Sequence, residues 1–155
     1  MIRSISDVEY FVVHHSASPN HWAASKIRDV HLDLGWPDVG YHFLIERSGK
    51  LVRGRQLSKV GAHCLPHNQV SWGVCVIGDN TTPDSNATGR SWRSNNHSWV
   101  DEQWATLETL VKSVMILVPS IKVVGHREIG STPTACPGIE GDELRKRLFG
   151  EEIRV

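Results

Sequence analysis

The stretch Tyr10 to His14, YFVVH, is the segment from which the fold of this chain is predicted. Its aromatic and β-branched residues show no alternation with polar ones, which is typical of a strand buried on both faces. The run ends at a pair of histidines, His14 and His15, and a polar turn, SPN, follows at residues 18–20. We therefore predict a buried strand that delivers an imidazole at its carboxyl end.

The segments beyond this strand predict alternating helices and strands. Apolar residues at helical spacing from Ala23 to Leu34 predict a helix that ends at Gly35. The later segments predict a hairpin at 41–46 and 51–53, a central strand at 72–77, a helix at 104–118, a strand at 121–124 and a terminal helix at 142–149. This order predicts an α/β fold, with a central mixed sheet flanked by helices, in a single domain over residues 1–155.

The composition excludes several classes of partner. Lys+Arg and Asp+Glu both number 17, so no overall charge attracts nucleic acid or an anionic membrane. No apolar run approaches the roughly 20 residues that span a bilayer. No signal peptide is apparent, so we expect synthesis in the cytoplasm, and nothing indicates an obligate partner, so we expect a monomer. The cysteines, Cys64, Cys75 and Cys136, are an odd number without a CxxC pair, which argues against a disulfide framework and suits a reducing compartment or a ligand role.

Residues 79–98, DNTTPDSNATGRSWRSNNHS, differ in character from the rest of the chain. They are polar, contain Gly and Pro, and show no periodicity. Long loops of this kind in a small domain are usually functional or disordered. We interpret the segment as a functional loop and predict that Trp92 faces the substrate.

Two predicted strands end in histidine, and together with a distant cysteine they suggest a metal site. The first strand ends at His14 or His15, the late strand ends before His126, and Cys136 lies in the loop after it. Two imidazoles and one thiolate suit zinc, and three protein ligands are typical of a catalytic site. Because neighbouring strand residues point to opposite faces and both faces are apolar here, periodicity does not choose between His14 and His15.

Cys64 beside His63 is an alternative ligand pair. Both side chains could reach one metal only if the chain bends there, since neighbours in a strand point to opposite faces. The spacing of His126 and Cys136 is also too wide for a zinc-finger pattern. Spacing alone therefore leaves the ligand set open.

Five motifs in order along the chain resemble the zinc-dependent N-acetylmuramoyl-L-alanine amidases. That family includes amidase-type phage lysozymes and the peptidoglycan-recognition proteins. Any one of the motifs is weakly specific, but five in the right order are highly specific. The motifs are VVHHSAS (12–18), GWPDVGYHFLIERSGKLVRGR (35–55), GAHCLPHNQVSWGVCVIGD (61–79), GHRE (125–128) and TACPG (134–138).

The resemblance implies roles for individual residues. It implies one Zn²⁺ held by His14, His126 and Cys136, with Tyr41 as a catalytic residue. Thr134 stands where phage members often carry lysine and recognition-protein amidases often carry threonine, so its catalytic role is less specific. Residues that match the substrate cleft of the family are His63, Asn68 and Ser71.

The resemblance also implies the reaction, namely hydrolysis of the amide between N-acetylmuramic acid and L-alanine in peptidoglycan. The Tyr41 hydroxyl is then expected to donate a hydrogen bond to the developing oxyanion. Glu128 is a candidate proton shuttle, with a surface carboxylate as the simpler interpretation. We expect a phage or prophage endolysin that acts on the cell wall after release. The alternatives are a cytosolic amidase that recycles muropeptides, and a module that binds peptidoglycan without cleaving it.

Overall fold

The computed structural model describes residues 3–80 and 99–150, so Trp92 and most of the 79–98 segment lie outside the described residues. Within these ranges the chain forms five strands and four α-helices. The strands are β1 (Tyr10–His15), β2 (Phe43–Ile45), β3 (Leu51–Arg53), β4 (Ser71–Val76) and β5 (Lys122–Gly125). The helices are α1 (Ala24–Asp33), α2 (Asp101–Leu117), α3 (His126–Ile129) and α4 (Gly141–Phe149).

The strands form one mixed sheet in the order β3-β2-β4-β1-β5. Strand β1 pairs in parallel with β4 and with β5, and β2 pairs in parallel with β4. Only β3 runs antiparallel, as the second strand of the predicted hairpin. The predicted mixed α/β sheet is confirmed, and the carboxyl ends of its parallel strands meet at one edge.

The two faces of the sheet have different partners. Phe11 and Val13 of β1 pack into the larger core, which also contains Leu107 of α2 and Leu144 of α4. His14 points to the opposite face because side chains alternate along a strand. Its neighbour in register is Cys75 of β4, which belongs to a smaller core under α1. This alternation separates the histidine from the main hydrophobic core.

The structure shortens one predicted strand and shows which part of helix α1 is buried. The first hairpin strand begins at Phe43, because the backbone of Tyr41 and His42 bonds with the 54–55 turn and with Gly73. Helix α1 covers the sheet only with its first half, so Ile27 is buried whereas Leu34 is 63% exposed.

The sequence analysis also missed helix α3, which occupies the start of the predicted loop after β5. A helix of one turn has too few residues to show a periodic pattern.

Helix α2 is the longest in the described ranges, and its predicted apolar face is buried. Trp104, Leu107, Val111, Val114 and Val118 all lie in the larger core, as predicted from their spacing. Within residues 3–80 and 99–150, no helix combines the length and the apolarity that crossing a bilayer requires.

The fold predicts unequal effects for two truncations in helix α2. Leu107 is fully buried, whereas Ile116 is 82% exposed. Leu107→Ala is expected to lower the free energy of unfolding by about 2–5 kcal/mol, since it removes core contacts and leaves a cavity. Ile116→Ala is the matched control, with an expected change within about 0.5 kcal/mol. Urea titration followed by circular dichroism measures both, and equal effects would contradict the assigned faces.

Candidate metal centre

The ends of β1 and β5 bring two histidines side by side. Val13 is paired with Gly125 at the end of the β1–β5 ladder, so the residues that follow them, His14 and His126, are neighbours. Their ring centroids are 4.7 Å apart. Gly130 makes room for the second ring, because a Cβ there would lie 2.8 Å from Cδ2 of His126. The two imidazoles therefore converge through strand pairing alone.

The loop after α3 returns Cys136 to the same place. The backbone N–H of Arg127 donates to the Cys136 carbonyl at 2.8 Å, which closes the loop. The Cys136 sulfur accepts a hydrogen bond from the backbone N–H of His15 at 3.3 Å. Candidate ligand atoms of His14, His126 and Cys136 all lie within 4.8 Å of one another. The structure thus brings together the three residues that the resemblance implied.

The geometry of this group fits a zinc ion. The Nδ1 atom of His14 lies 3.6 Å from Sγ of Cys136. Tetrahedral zinc with Zn–N near 2.05 Å and Zn–S near 2.3 Å places such ligand atoms about 3.6 Å apart. Two imidazoles and one thiolate are also a common donor set for zinc with one open position. The residues present therefore suit the ion that the resemblance implies.

The electrostatics of the group also favour a cation. Burial lowers the pKa of His14 well below its ordinary value, and burial also lowers the pKa of His126, so both rings are neutral. Burial raises the pKa of the Cys136 thiol to about 12. A thiolate at this position therefore requires a nearby positive charge. Neutral imidazoles with free lone pairs are the form that binds metal.

The alternative ligands fall outside the three-residue group. His15 turns away from the group, and its Nδ1 accepts a hydrogen bond from the Asn80 backbone N–H at 3.0 Å. Cys64 is buried, and burial raises the pKa of its thiol to about 11. Among the described residues, the group of His14, His126 and Cys136 is the one set of three His, Cys, Asp or Glu side chains with metal-binding geometry. The choice between His14 and His15, left open by periodicity, is made by the face of β1.

Tyr41 lies beside the candidate ligands. Its ring centroid is 5.1 Å from that of His14, and its hydroxyl shares a hydrogen bond with the Cys75 thiol. Burial raises the pKa of Tyr41 well above its ordinary value, so the phenol keeps its proton. A thiol is a weak acceptor, which leaves the hydroxyl hydrogen available to a stronger oxygen acceptor.

Tyr41 is held in place by the segments around it. His31 of α1 accepts the backbone N–H of Gly40 at 2.9 Å, and its ring lies 5.6 Å from that of Tyr41. On the other side of the tyrosine, His42 is buried and hydrogen-bonded to the protein through both ring nitrogens.

Thr134 and the residues predicted to contact substrate have contacts within the protein. The Thr134 hydroxyl oxygen accepts the backbone N–H of Cys136 at 3.1 Å, which leaves its hydrogen free to donate. The Asn68 side-chain oxygen accepts the backbone N–H groups of His63 and Cys64 at 2.9 and 2.8 Å. Ser71 is fully buried. Substrate binding by His63, Asn68 and Ser71 stays a prediction, as does catalysis by Thr134.

Asn80 is a buried residue near the site that the sequence analysis missed. Its side-chain amide donates to the Pro137 carbonyl at 2.9 Å, and its oxygen accepts the Trp99 backbone N–H at 3.3 Å. It therefore supports the cysteine loop. Its place at the start of a polar segment gave no signal for such a buried role.

Glu128 has a structural position. Its carboxylate accepts the Gly125 backbone N–H at 2.7 Å and two hydrogen bonds from Arg145 at 2.9 and 3.0 Å. These contacts join α3 to α4 and engage both oxygens of the carboxylate within the protein. The simpler of the two interpretations was a surface carboxylate, and the Glu128 side chain is indeed partly exposed, but it is also held by the ion pair with Arg145.

Fold and site together define a single-sheet α/β protein with a His-His-Cys centre of metal-binding geometry at the carboxyl edge of its parallel strands. The chain belongs to the N-acetylmuramoyl-L-alanine amidase family, whose match covers residues 4–139.

Curated relatives include phage endolysins. The endolysin of Enterobacteria phage K11 is 30% identical over 139 residues, which cover 86% of this chain and 83% of the relative. The endolysin of Escherichia phage T7 is 32% identical over 118 residues, which cover 74% of this chain and 69% of the relative.

Solved structures of similar fold come from phage and from insects. The Ph2119 endolysin of a Thermus scotoductus bacteriophage superposes with a TM-score of 0.75 at 27% identity, covering 96% of this chain and 88% of that one. Drosophila PGRP-LB superposes with a TM-score of 0.71 at 25% identity, covering 95% of this chain and 85% of that one.

The contacts of Glu128 predict a structural role for this residue, and a substitution distinguishes that role from proton transfer. Glu128→Gln keeps an acceptor for Gly125 but removes the ion pair with Arg145, so the free energy of unfolding should fall by about 1–3 kcal/mol. Amidase turnover below the unfolding transition should stay near that of the unmutated protein. Loss of a general acid–base group would instead lower turnover by about 100-fold or more. Such a loss without unfolding would contradict the structural role.

Proposed function

We propose that this chain is a zinc-dependent peptidoglycan amidase, a phage or prophage endolysin that hydrolyses the bond between N-acetylmuramic acid and L-alanine. The observation that carries the proposal is the convergence of His14, His126 and Cys136 within 4.8 Å. Membership of the amidase family and the likeness to two phage endolysins support the reaction and the biological setting.

The proposed metal role assigns a task to each of the three side chains. His14 and His126 offer neutral imidazole lone pairs, and Cys136 offers a thiolate once a cation offsets its burial. Zinc held there would supply a Lewis acid for the amide carbonyl and would lower the pKa of a water molecule to about 7. Hydrogen bonds from the protein hold the cysteine loop in place, so these side chains are ordered by the fold itself.

Tyr41 is proposed to stabilise the transition state of amide hydrolysis. Attack on the carbonyl carbon places negative charge on the carbonyl oxygen, and a positioned O–H donor next to that oxygen lowers the barrier. The phenol stays protonated because of its burial, and its ring is in contact with His14. A donation to the substrate oxygen would replace the weak hydrogen bond with Cys75.

Thr134 is proposed to assist from the cysteine loop. Its oxygen already accepts the Cys136 N–H, so its hydroxyl hydrogen is free to be donated to another acceptor. A threonine donates one hydrogen bond and carries no charge, whereas a lysine at this position would add a cation. Thr134 therefore contributes orientation more than electrostatic stabilisation.

The loop at residues 61–68 is proposed to form one wall of the substrate cleft. The side chain of Leu65 in this loop is exposed. Its backbone carbonyl accepts the backbone N–H of Ser131 at 2.9 Å, which joins this loop to the loop that carries Cys136. Asn68 fixes the backbone of the same loop through His63 and Cys64. Substrate contacts by this loop remain part of the proposal, together with those of Trp92.

The metal proposal predicts different results for two buried cysteines. Cys136→Ser should abolish stoichiometric zinc binding and nearly all cleavage, because it removes the thiolate ligand. Cys64→Ser, the control, should retain one zinc per chain, since Cys64 lies outside the ligand group. Metal analysis of purified protein and a peptidoglycan digest are the measurements. The digest should release new L-alanine amino termini and no new reducing sugar ends; reducing ends would contradict the proposed bond specificity.

The tyrosine proposal is tested by the two tyrosines of the chain, Tyr10 and Tyr41. Tyr41→Phe should lower turnover by about 100- to 1,000-fold, as for loss of one oxyanion donor. Zinc content should stay unchanged, because the hydroxyl is not a ligand. Tyr10→Phe removes a hydroxyl at the start of β1 and should leave turnover unchanged. Equal turnover of Tyr41→Phe and the unmutated protein would remove the tyrosine from the mechanism.

The biological setting is tested with two substrates. An endolysin should release soluble fragments from intact sacculi, whereas a recycling amidase should cleave only soluble muropeptides. A chain that binds sacculi tightly but releases no L-alanine amino termini would be a binding module instead.

A further inference from the structure

We propose that His63 and Ser71 are positioning residues that hold His14 in its Nε2–H tautomer, so that the Nδ1 lone pair faces the metal position. The inference rests on the proposed metal role of His14, and it assigns to His63 and Ser71 a task separate from substrate contact. Its basis is a chain of hydrogen bonds that starts at a backbone carbonyl and ends at the candidate ligand.

The contacts form an unbroken series. Nε2 of His14 lies 2.9 Å from Nδ1 of His63. Nε2 of His63 lies 3.2 Å from Oγ of Ser71. Oγ of Ser71 lies 2.8 Å from the backbone carbonyl oxygen of His67.

The proton positions follow from the carbonyl end. A carbonyl oxygen only accepts, so the single hydroxyl hydrogen of Ser71 is donated to His67. Towards His63 the hydroxyl oxygen must then accept, which places a proton on Nε2 of His63. If Ser71 instead donated to His63, two lone pairs would face each other at 2.8 Å with no hydrogen between them.

The same logic continues through the second ring. A neutral imidazole carries one ring proton, and the contact with Ser71 places that proton of His63 on Nε2. With that proton on Nε2, Nδ1 of His63 is an acceptor, and Nε2 of His14 must carry the hydrogen between them. Nδ1 of His14 is then unprotonated, and it is the atom that lies 3.6 Å from the Cys136 sulfur.

The surroundings hold His63 in this orientation. Gly73 of β4 leaves space for the ring, because a Cβ there would lie 2.6 Å from Nδ1 of His63. Asn68 accepts the His63 backbone N–H at 2.9 Å, and the partner Ser71 is fully buried. A histidine that only contacted substrate would not need this support on both ring nitrogens.

The expected benefit is metal affinity. A ligand histidine whose other ring N–H is bound has a fixed tautomer and a more basic lone pair, and loss of such a partner typically lowers metal affinity by about 10–100-fold. Here the bound ring N–H is that at Nε2 of His14, and the lone pair that becomes more basic is that of Nδ1.

The direct test uses the unmutated protein without metal. Nitrogen-15 NMR of the histidine rings distinguishes protonated from unprotonated ring nitrogens. We expect His14 and His63 both to carry their proton on Nε2 before zinc is added. A proton on Nδ1 of His14 would overturn the inference without any variant having to fold.

Variants of His63 separate hydrogen bonding from packing. His63→Leu removes the acceptor and should weaken zinc binding by about 10–100-fold in a competition titration. His63→Asn offers an amide oxygen close to the former Nδ1 position and should recover most of that affinity. Equal affinity of the unmutated protein and a folded His63→Leu variant would overturn the inference, as would equal losses in the Leu and Asn variants.

Two further variants complete the test. Ser71→Ala removes the acceptor of the His63 Nε2–H, so the NMR spectrum should show both tautomers of His63. His67→Ala is the matched control, because only its backbone carbonyl takes part, and its zinc affinity should stay unchanged. If the unmutated protein binds no zinc, the proposed function fails while the tautomer result still stands. If zinc binds and His63→Leu has no effect, only the positioning role fails.

Discussion

The parallel pairing of β1 with β5 is the constraint on which the site depends. These strands are distant in the chain, yet their register sets Val13 against Gly125 and so places the next residues of both strands together. A shift by one residue would turn His14 into the larger apolar core and bring His15 to the site. The main-chain ladder thus decides which of two adjacent histidines becomes a candidate ligand, and the apolar side chains of β1 hold that ladder in register.

Burial at this edge of the sheet determines the protonation states of the candidate ligands. Neutral imidazoles and a protonated thiol are the stable forms when no cation is present, as the lowered histidine pKa values and the raised Cys136 pKa show. A divalent cation would favour the thiolate over the thiol at Cys136, whereas the imidazoles would stay neutral. Hydrogen bonds from His15 and Arg127 to Cys136 hold the loop in place without using either imidazole. The fold therefore presents the ligand atoms before any metal has to organise them.

The fold was largely predictable because its strands and long helices carry clear patterns. YFVVH and WGVCVI predict buried strands, and the apolar face of α2 follows from spacing alone. The residues at two strand ends suggested a metal site, but only the resemblance selected the ligand set, since neither periodicity nor spacing joins His14 to residues more than 100 positions away. Asn80 was missed because a buried role depends on contacts with Pro137 and Trp99 that no local pattern encodes. Helix α1 was predicted from its spacing, but the exposure of Leu34 at its end was not, because helical spacing does not show how far the sheet extends beneath a helix.

The histidine-rich interior also explains why similar residues have different tasks here. His42 donates to the Lys59 carbonyl and accepts from Gly73, so both of its ring nitrogens are used within the scaffold. The ring centroid of His63 lies 5.8 Å from that of His42. One ring nitrogen of His63 is hydrogen-bonded to Ser71 and the other to His14. Only a ring with one nitrogen left open to the site can become a ligand. In this protein the hydrogen-bond partner of each ring, more than its position in the sequence, distinguishes the histidine that supports the fold from the candidate metal ligand and from the residue proposed to orient that ligand.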